Sequence, residues 1–185
     1  LELLTQKYDV AVANPPYTDS SDFGPELKKF VNTNYKKPYK FHSNLYATFI
    51  KRCYELIKDS GKMALIHPLT FMYIKSFEDV REFIISQLNI SVLVEYGNSN
   101  LFGLVLVDPA FYIFEKEKTA EKALFISLDQ YTRTPQEKYK KDYCLDALND
   151  YVQNRQNKHN YLVDYSKFKI IDGCPFIYWI SDDFR

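Results

Sequence analysis

Residues 14–17 read Asn-Pro-Pro-Tyr and combine a carboxamide, a rigid backbone and an aromatic ring. Each proline fixes its own φ and keeps the preceding residue out of the helical region, so Asn14 and Pro15 are expected to be extended and stiff. The Asn14 side-chain oxygen and the Pro15 carbonyl then become two preorganised hydrogen-bond acceptors. Such a pair could hold the hydrogens of a substrate's amino group.

The chemistry that this arrangement favours is the activation of a planar nitrogen, such as the amino group of adenine. Its lone pair is delocalised, so the nitrogen is a poor nucleophile until acceptors draw it toward a tetrahedral shape and stabilise the developing charge. The ring of Tyr17 could stack on a base flipped out of a duplex, which contributes about 1–3 kcal/mol in single-strand binders. An ordinary Pro-rich turn is the alternative, and the strand before the motif makes it less favoured.

Strands and helices at regular spacing would position this motif. Residues 10–13 are a continuous apolar run, which predicts a strand covered on both faces and central in a sheet. Apolar residues at helical spacing follow Ser43, a candidate cap, and residues 62–69 predict a second strand that stops at Pro68. Strand, helix and strand in this order predict a parallel crossover, with a site at the carboxyl ends of the strands.

The later sequence predicts an antiparallel hairpin. Residues 90–96 are a third strand, and residues 104–116 return beside it, with Pro109 indicating a bulge or an edge position. Residues 122–129 could extend the sheet. The predicted fold class is therefore α/β, a parallel sheet that ends in an antiparallel hairpin and is followed by a helical and aromatic extension.

Capping patterns predict two further helices, and one long segment lacks periodicity. Ser76 with Asp79 and Thr134 with Glu137 have the spacing of capping boxes at helix starts. Residues 18–41 predict mostly loop, in which a short helix could form around Glu26 to Val31. Their lysines alternate with aromatic residues and could follow a phosphate backbone, although a solvated, mobile lid is the favoured interpretation.

Composition limits the class of protein. The chain has 185 residues, 46% of them hydrophobic, which fits one compact domain with or without an appendage. Lys plus Arg and Asp plus Glu are both 24, so contact with nucleic acid would need a local patch. The three cysteines are far apart and suit a reducing compartment better than a metal site or disulfides. Without a membrane-length apolar run or a signal peptide pattern, we expect a soluble, cytoplasmic protein that binds no metal.

Several segments together resemble a known enzyme family. "NPPY" after an apolar strand resembles the catalytic motif of amino-methyltransferases that use S-adenosylmethionine. "SNLYATFIKRC" resembles the next helix of that family, "GKMALIHPLTFM" the next strand, and "GNSNLFG" before "LVLVDPAFYIFEK" the hairpin loop. The tail "FKIIDGCPFIYWISDDF" resembles a stretch of the N6-adenine-specific DNA methyltransferases of BREX/PglX-type phage defence and of related restriction–modification enzymes. The similarity extends over nearly the whole chain.

The resemblance implies a partial Rossmann-like S-adenosylmethionine methyltransferase fold, with residues 1–130 as the C-terminal part of the catalytic domain and residues 131–185 as an extension toward a target-recognition domain. Its implied partners are double-stranded DNA, S-adenosylmethionine and proteins of a defence or restriction system. The implied catalytic residues are Asn14, Pro15, Pro16 and Tyr17, the target base would stack on Tyr17 and Phe102, and the cofactor would contact Asn44, Leu45 and Tyr46. A core role for Phe102 and helix-start packing for residues 44–46 remain open.

One departure from the family limits what the chain could do alone. The family's glycine-rich cofactor motif precedes "NPPY" by tens of residues, whereas the five glycines here are never one residue apart. We therefore expect the target-base half of an active site, weak cofactor binding and no catalysis by this chain alone. His67 and Cys174 are expected to be structural. The alternatives are a protein-glutamine or RNA N-methyltransferase, or a non-catalytic DNA-binding segment that keeps the fold.

Overall fold

A computed structural model describes residues 2–97, 107–118 and 120–181, and this part of the chain forms one mixed six-stranded sheet. The strands are β1 (Tyr8–Ala13), β2 (Ile57–Pro68), β3 (Asn89–Glu95), β4 (Pro109–Glu115), β5 (Lys122–Ser127) and β6 (Asn160–Asp164), in the order β1-β2-β4-β3-β5-β6. The helices are α1 (Glu2–Thr5), α2 (Pro25–Tyr35), α3 (Leu45–Leu56), α4 (Glu78–Gln87) and α5 (Lys140–Val152). None of these helices is long and apolar enough to cross a membrane.

The strand directions confirm the predicted crossover and hairpin. β1 and β2 are parallel and are joined through α3, with Ala13 opposite Leu65. β4 lies antiparallel between β2 and β3, while β5 continues the sheet parallel to β3. The carboxyl ends of β1, β2, β3 and β5 therefore share one edge with the start of β4, where Pro68 faces Pro109.

Apolar side chains cover the two faces of the sheet unequally. On one face, α3, α4 and the C-terminal tail enclose the main core, which includes Ile50, Met63, Phe83, Phe114 and Phe176. The other face has a smaller cluster, in which Cys144 and Ala147 of α5 pack over Val94, Leu124 and Ile126.

The prediction that β1 is central and covered on both faces is wrong for the described structure. β1 lies at the edge of the sheet, and Val10 and Val12 are 56% and 76% exposed. The reason is that α5 covers β3 and β5 and leaves the neighbouring part of the same face open. An apolar groove of about 360 Å³ remains there, lined by residues that include Val12, Ile113 and Leu148.

The segment 18–41 contains more regular structure than its composition indicates. α2 begins with Pro25 in its first turn, where a missing amide hydrogen costs nothing, and it buries Val31 and Tyr35. Phe23 and Phe41 on either side of α2 are also buried. These four anchors make the segment a packed part of the core. The short helix allowed around Glu26 to Val31 is present within α2, whereas the prediction of a mostly irregular lid is wrong.

The three capping predictions are also corrected. Asn44, not Ser43, caps α3, because its Oδ1 accepts a hydrogen bond from the amide of Tyr46 at 3.2 Å. α4 begins after a 3₁₀ turn and has no side-chain cap, while Asp79 forms an ion pair with Lys40 at 2.6 Å.

At the third helix, the Thr134 hydroxyl donates to the Tyr131 carbonyl at 2.8 Å, and α5 starts only at Lys140. Short 3₁₀ turns take up the residues that a simple capping box would place in the first helical turn.

Pro109 is neither at an edge nor in a bulge. It is the first residue of β4, in the interior of the sheet, and its carbonyl accepts from the Tyr96 amide at 3.1 Å. A first position tolerates proline because the ladder there needs no amide donor.

Candidate active site at the carboxyl edge of the sheet

The Asn-Pro-Pro-Tyr motif follows β1 directly and places a carboxamide at the carboxyl edge of the sheet. Asn14 and Pro16 are exposed, Pro15 is buried and Tyr17 is half-buried. The Tyr17 hydroxyl donates a hydrogen bond to Asn14 Oδ1 at 2.9 Å. Burial raises the pKa of Tyr17, so the phenol stays protonated and remains a donor at neutral pH. An amide oxygen has two lone pairs, so Asn14 Oδ1 can accept a second hydrogen bond.

The start of α3 holds the residues after the motif in place. The Leu45 amide donates to the Thr18 carbonyl at 3.0 Å, and Asp19 forms an antiparallel bridge with Asn44. The Asp19 carboxylate accepts from the Ser21 amide at 3.0 Å and caps a short 3₁₀ turn. The pairing of β1 before the motif and the contacts of Thr18 and Asp19 after it therefore limit how far the motif can move.

The residues named for cofactor contact lie at this helix start, mostly inward. Asn44 is 8% exposed and its oxygen caps α3, while Tyr46 is 2% exposed and its hydroxyl lies 3.1 Å from Thr70 Oγ1. Leu45 is partly buried. Of these three side chains, only Leu45 leaves part of its surface open to a ligand such as S-adenosylmethionine. They leave few polar groups free to hold its charged ends.

A buried histidine packs against Tyr46 at the start of α3. The His67 ring stacks on Tyr46 with centroids 4.4 Å apart and planes inclined by 12°. Burial lowers the pKa of His67 to about 4, so the ring is neutral at pH 7. In the tautomer that satisfies both contacts, Nδ1–H donates to the Pro68 carbonyl at 3.0 Å and Nε2 accepts from the Tyr112 hydroxyl at 2.8 Å. His67 is therefore a structural residue, as the sequence predicts.

The C-terminal tail crosses the same edge and is anchored by a buried arginine. The Arg81 guanidinium donates to the Gly173 carbonyl from Nε at 2.8 Å and from Nη2 at 2.6 Å. Its Nη1 donates to the carbonyls of Phe71 and Ile74 at 2.8 and 2.7 Å. The Phe176 amide adds a bond to the backbone of the same loop after β2. Arg81 thus connects this loop to the tail.

Sequence reasoning missed the polar group at the end of β3. The Tyr178 hydroxyl donates to the Glu95 carboxylate, and burial raises the pKa of Glu95. Two residues later, Gly97 has φ of 69°, and a Cβ there would collide with Asp129 Oδ1. The aromatic pair Tyr178 and Trp179 in the tail was the available signal. Phe102, named for base stacking, lies outside the described residues.

No three His, Cys, Asp or Glu side chains within residues 2–97, 107–118 and 120–181 converge in a way that could hold a metal ion. At this edge the described residues present hydrogen-bond acceptors, aromatic faces and, among their carboxyl groups, that of Glu95. The acceptors lie at the end of β1, and the carboxyl group lies at the end of β3.

The described structure has the α/β fold of class I S-adenosylmethionine-dependent methyltransferases. The type I restriction–modification methyltransferase subunit of Streptococcus thermophilus superposes with a TM-score of 0.68, covering 93% of this chain and 38% of that one at 16% identity. The profile of the Eco57I restriction-modification methylases matches residues 2–102. The chain belongs to the Eco57I restriction-modification methylase family.

Two curated relatives match nearly the whole chain. The adenine-specific methyltransferase BrxX of Escherichia coli O9:H4 (strain HS) is 26% identical over 97% of this chain. The adenine-specific methyltransferase PglX of Lacticaseibacillus casei (strain Zhang) is 29% identical over 96% of it. The chain spans only 14% of the length of either relative. The resemblance stated from the sequence is thus confirmed at the level of the family.

Proposed function

We propose that this chain supplies the target-base side of the active site in a DNA adenine-N6 methyltransferase. The observation that carries the proposal is the position of Asn14: an exposed carboxamide directly after a parallel strand, hydrogen-bonded to Tyr17 and followed by two prolines. The relatives named as adenine-specific methyltransferases support the choice of adenine.

In the proposed reaction, Asn14 Oδ1 and the Pro15 carbonyl accept the two hydrogens of the adenine amino group. This draws the nitrogen lone pair out of the ring and stabilises positive charge as the new bond to carbon forms. The Tyr17 ring holds the flipped base by stacking. Transfer to a neutral amine needs no strong base, since the excess proton of the methylated nitrogen can leave to water afterwards.

S-adenosylmethionine would supply an electrophilic methyl group on a positively charged sulfur. Leu45 would contact it at the helix start, while the capping bond of Asn44 and the buried ring of Tyr46 fix that turn. The polar groups of the cofactor would then be bound by other parts of the complete enzyme.

We also propose the substrate, the location and the partners of the complete enzyme. The substrate would be double-stranded DNA in the cytoplasm, with partner proteins of a restriction–modification or phage-defence system. Residues 1–130 would end the catalytic domain. Residues 131–185, whose α5 packs on the sheet and whose β6 pairs with β5, would lead toward target recognition.

Product analysis tests the proposal. The complete polypeptide that carries this chain is incubated with isotopically labelled S-adenosylmethionine and, separately, with plasmid DNA, RNA or a mixture of glutamine-containing proteins. We expect N6-methyladenine in digested DNA by mass spectrometry and no label in RNA or protein. Label only in glutamine side chains or RNA would assign the site to one of the other amino substrates, and no label in any substrate would contradict a catalytic role.

A further inference from the structure

An aromatic pair, Tyr73 after β2 and Trp179 in the tail, is not used by the proposed reaction. Trp179, the single tryptophan of the chain, is 50% exposed although the neighbouring Tyr178 is buried. Its ring centroid lies 5.8 Å from Tyr73 and 5.2 Å from Tyr178, with planes inclined by 62° and 87°. Because neither neighbour stacks face to face on the indole, the exposed part of its surface can accept another flat ring.

The pair lies on the edge of the sheet that carries Asn14 and is displaced from β1 toward β3. Tyr73 follows the 3₁₀ turn after β2, and Tyr178 is bonded to Glu95 at the end of β3. β1 and β3 are three strand spacings apart, which amounts to about 14 Å. Because Tyr178 anchors the tail to β3, the base assigned to the pair is a different one from the base held at Asn14 after β1.

The supporting contacts make the pair rigid. The Phe176 amide donates to the Met72 carbonyl at 2.9 Å, immediately before Tyr73. The Tyr178 hydroxyl holds the tail to β3 one residue before Trp179. A ring that is already fixed loses little conformational freedom when a ligand stacks on it.

The charges around the pair favour a base over a phosphate. Backbone hydrogen bonds bring three acidic residues to this place: the Tyr96 amide, next to Glu95, donates to the carbonyl of Pro109, which follows Asp108, at 3.1 Å. The amide of Leu128, which precedes Asp129, donates to the Glu95 carbonyl at 2.9 Å. The Lys140 ammonium donates to the Tyr96 carbonyl and to Thr132 Oγ1, both at 2.8 Å, and it also interacts electrostatically with Asp108 and Asp129. One ammonium beside three carboxylates leaves this surface acidic. An acidic surround repels the DNA backbone, whereas carboxylate oxygens can accept hydrogen bonds from the amino groups of bases.

We propose that Tyr73 and Trp179 form an aromatic platform that stacks on an unpaired nucleobase, distinct from the base held at Asn14. The platform rests on the proposed function, because an unpaired base arises when the target is flipped. Its occupant is a second base of the same DNA substrate, namely the base that was paired with the target before the target flipped out.

The single tryptophan allows a direct test on the 185-residue chain. The protein is titrated with a single-stranded adenine oligonucleotide, and indole emission is recorded with excitation at a wavelength selective for tryptophan. An abasic oligonucleotide of equal length, with the same phosphates and no bases, is the matched control. We expect saturable quenching with the adenine oligonucleotide and none with the abasic one.

Variants locate the effect. With a labelled oligonucleotide and anisotropy as the readout, Trp179→Ala and Tyr73→Ala should each weaken binding by about 5- to 100-fold, while Trp179→Phe should retain most of it. Tyr151→Ala, at an exposed aromatic residue on α5, should change nothing. Far-ultraviolet circular dichroism verifies that each variant is folded. If Tyr73→Ala does not fold, the Trp179 variants alone decide the test, because Trp179 is more exposed and its replacement disturbs the core less.

The outcomes separate the platform from the methyl-transfer proposal. Unchanged emission with the adenine oligonucleotide, or equal changes with the abasic one, would overturn the platform even where DNA methylation depends on Asn14. Base-dependent quenching that survives in Asn14→Ala, together with an absence of methylation by the complete polypeptide, would keep the platform and overturn the methyltransferase function.

Discussion

At the scale of residues, the contact between the Tyr17 hydroxyl and Asn14 Oδ1 gives Tyr17 a second role beside the stacking that we propose for it. The phenol fixes which end of the carboxamide points to its neighbour and leaves one oxygen lone pair for the substrate. Asn14 would otherwise be an exposed side chain free to rotate. The motif is therefore more than a rigid backbone followed by a ring.

Tyr17→Phe and Tyr17→Ala should separate the two roles. The phenylalanine variant keeps the ring face and loses one hydrogen bond, so we expect single-turnover methylation to slow by about 3- to 10-fold. The alanine variant should also lose the fluorescence signal of 2-aminopurine placed at the target base. Equal 2-aminopurine signals in the two variants would count against stacking.

His67 predicts a pH dependence of stability. Its pKa in the folded state is about 4, below the ordinary value of 6.5, so between these values the unfolded chain binds the extra proton. Stability should therefore fall as pH decreases from about 6.5 to 4, with His67 contributing about 3 kcal/mol in total. Urea unfolding of the wild type and of His67→Gln checks this. Identical pH slopes in the two proteins would exclude His67 as the cause.

At the scale of elements, the sequence predicted the strands better than the ends of the helices. β2, β3, β4 and β5 are buried on at least one face and have apolar patterns that only a sheet explains. Helix starts depend on a few backbone bonds, and 3₁₀ turns at residues 75–77 and 137–139 shift them. The position of β1 could not be read from its residues, because an apolar strand looks the same whichever of its faces is covered.

In the candidate site, too, the sequence predicts some contacts and not others. The motif at residues 14–17 is contiguous, so its spacing alone indicates the chemistry. The Glu95–Tyr178 contact joins residues 83 apart, and only the fold brings them together. Arg81 and Gly173 are likewise 92 residues apart. Distant polar pairs of this kind leave no local pattern.

Arg81 should be a main determinant of stability. Arg81→Met leaves buried carbonyls of the loop after β2 and of the tail without donors, and we expect a loss of about 3 kcal/mol or more in the free energy of unfolding. Arg155→Met, which removes a largely exposed ion pair with Asp150, is the matched control and should cost about 0–1 kcal/mol. Similar urea midpoints for the two variants would show that the tail is not held by Arg81.

At the scale of the whole molecule, the described structure leaves an edge and a face open. β1 pairs with β2 on one side, and the apolar groove beside it is lined by Val12 and neighbouring strand residues. Apolar patches and unpaired strand edges promote association between chains. The isolated chain should therefore associate with itself.

Light scattering on two lysine variants tests this expectation. Val12→Lys places a charge on the exposed edge strand and should lower the apparent mass at a given concentration. Val152→Lys changes a residue of equal exposure, 77% against 76%, at the far end of α5 and should have no effect. A wild-type chain that stays monomeric, or equal shifts in the two variants, would contradict the assignment of this surface.

Calorimetry with S-adenosylmethionine tests how much of the cofactor site this chain carries. Asn44 and Tyr46 are engaged within the protein, so the isolated chain should bind the cofactor weakly or not at all. Tight one-to-one binding by a monomer would show that the cofactor site lies within this chain.

The most direct test of the account is the single-turnover methylation rate of Asn14→Ala in the complete polypeptide that carries this chain. Removing one of two acceptors at the amino nitrogen should lower the rate by about 10²- to 10³-fold, while S-adenosylmethionine binding, measured in parallel, stays unchanged. A rate within severalfold of the wild type would contradict the role of Asn14 and with it the proposed active site.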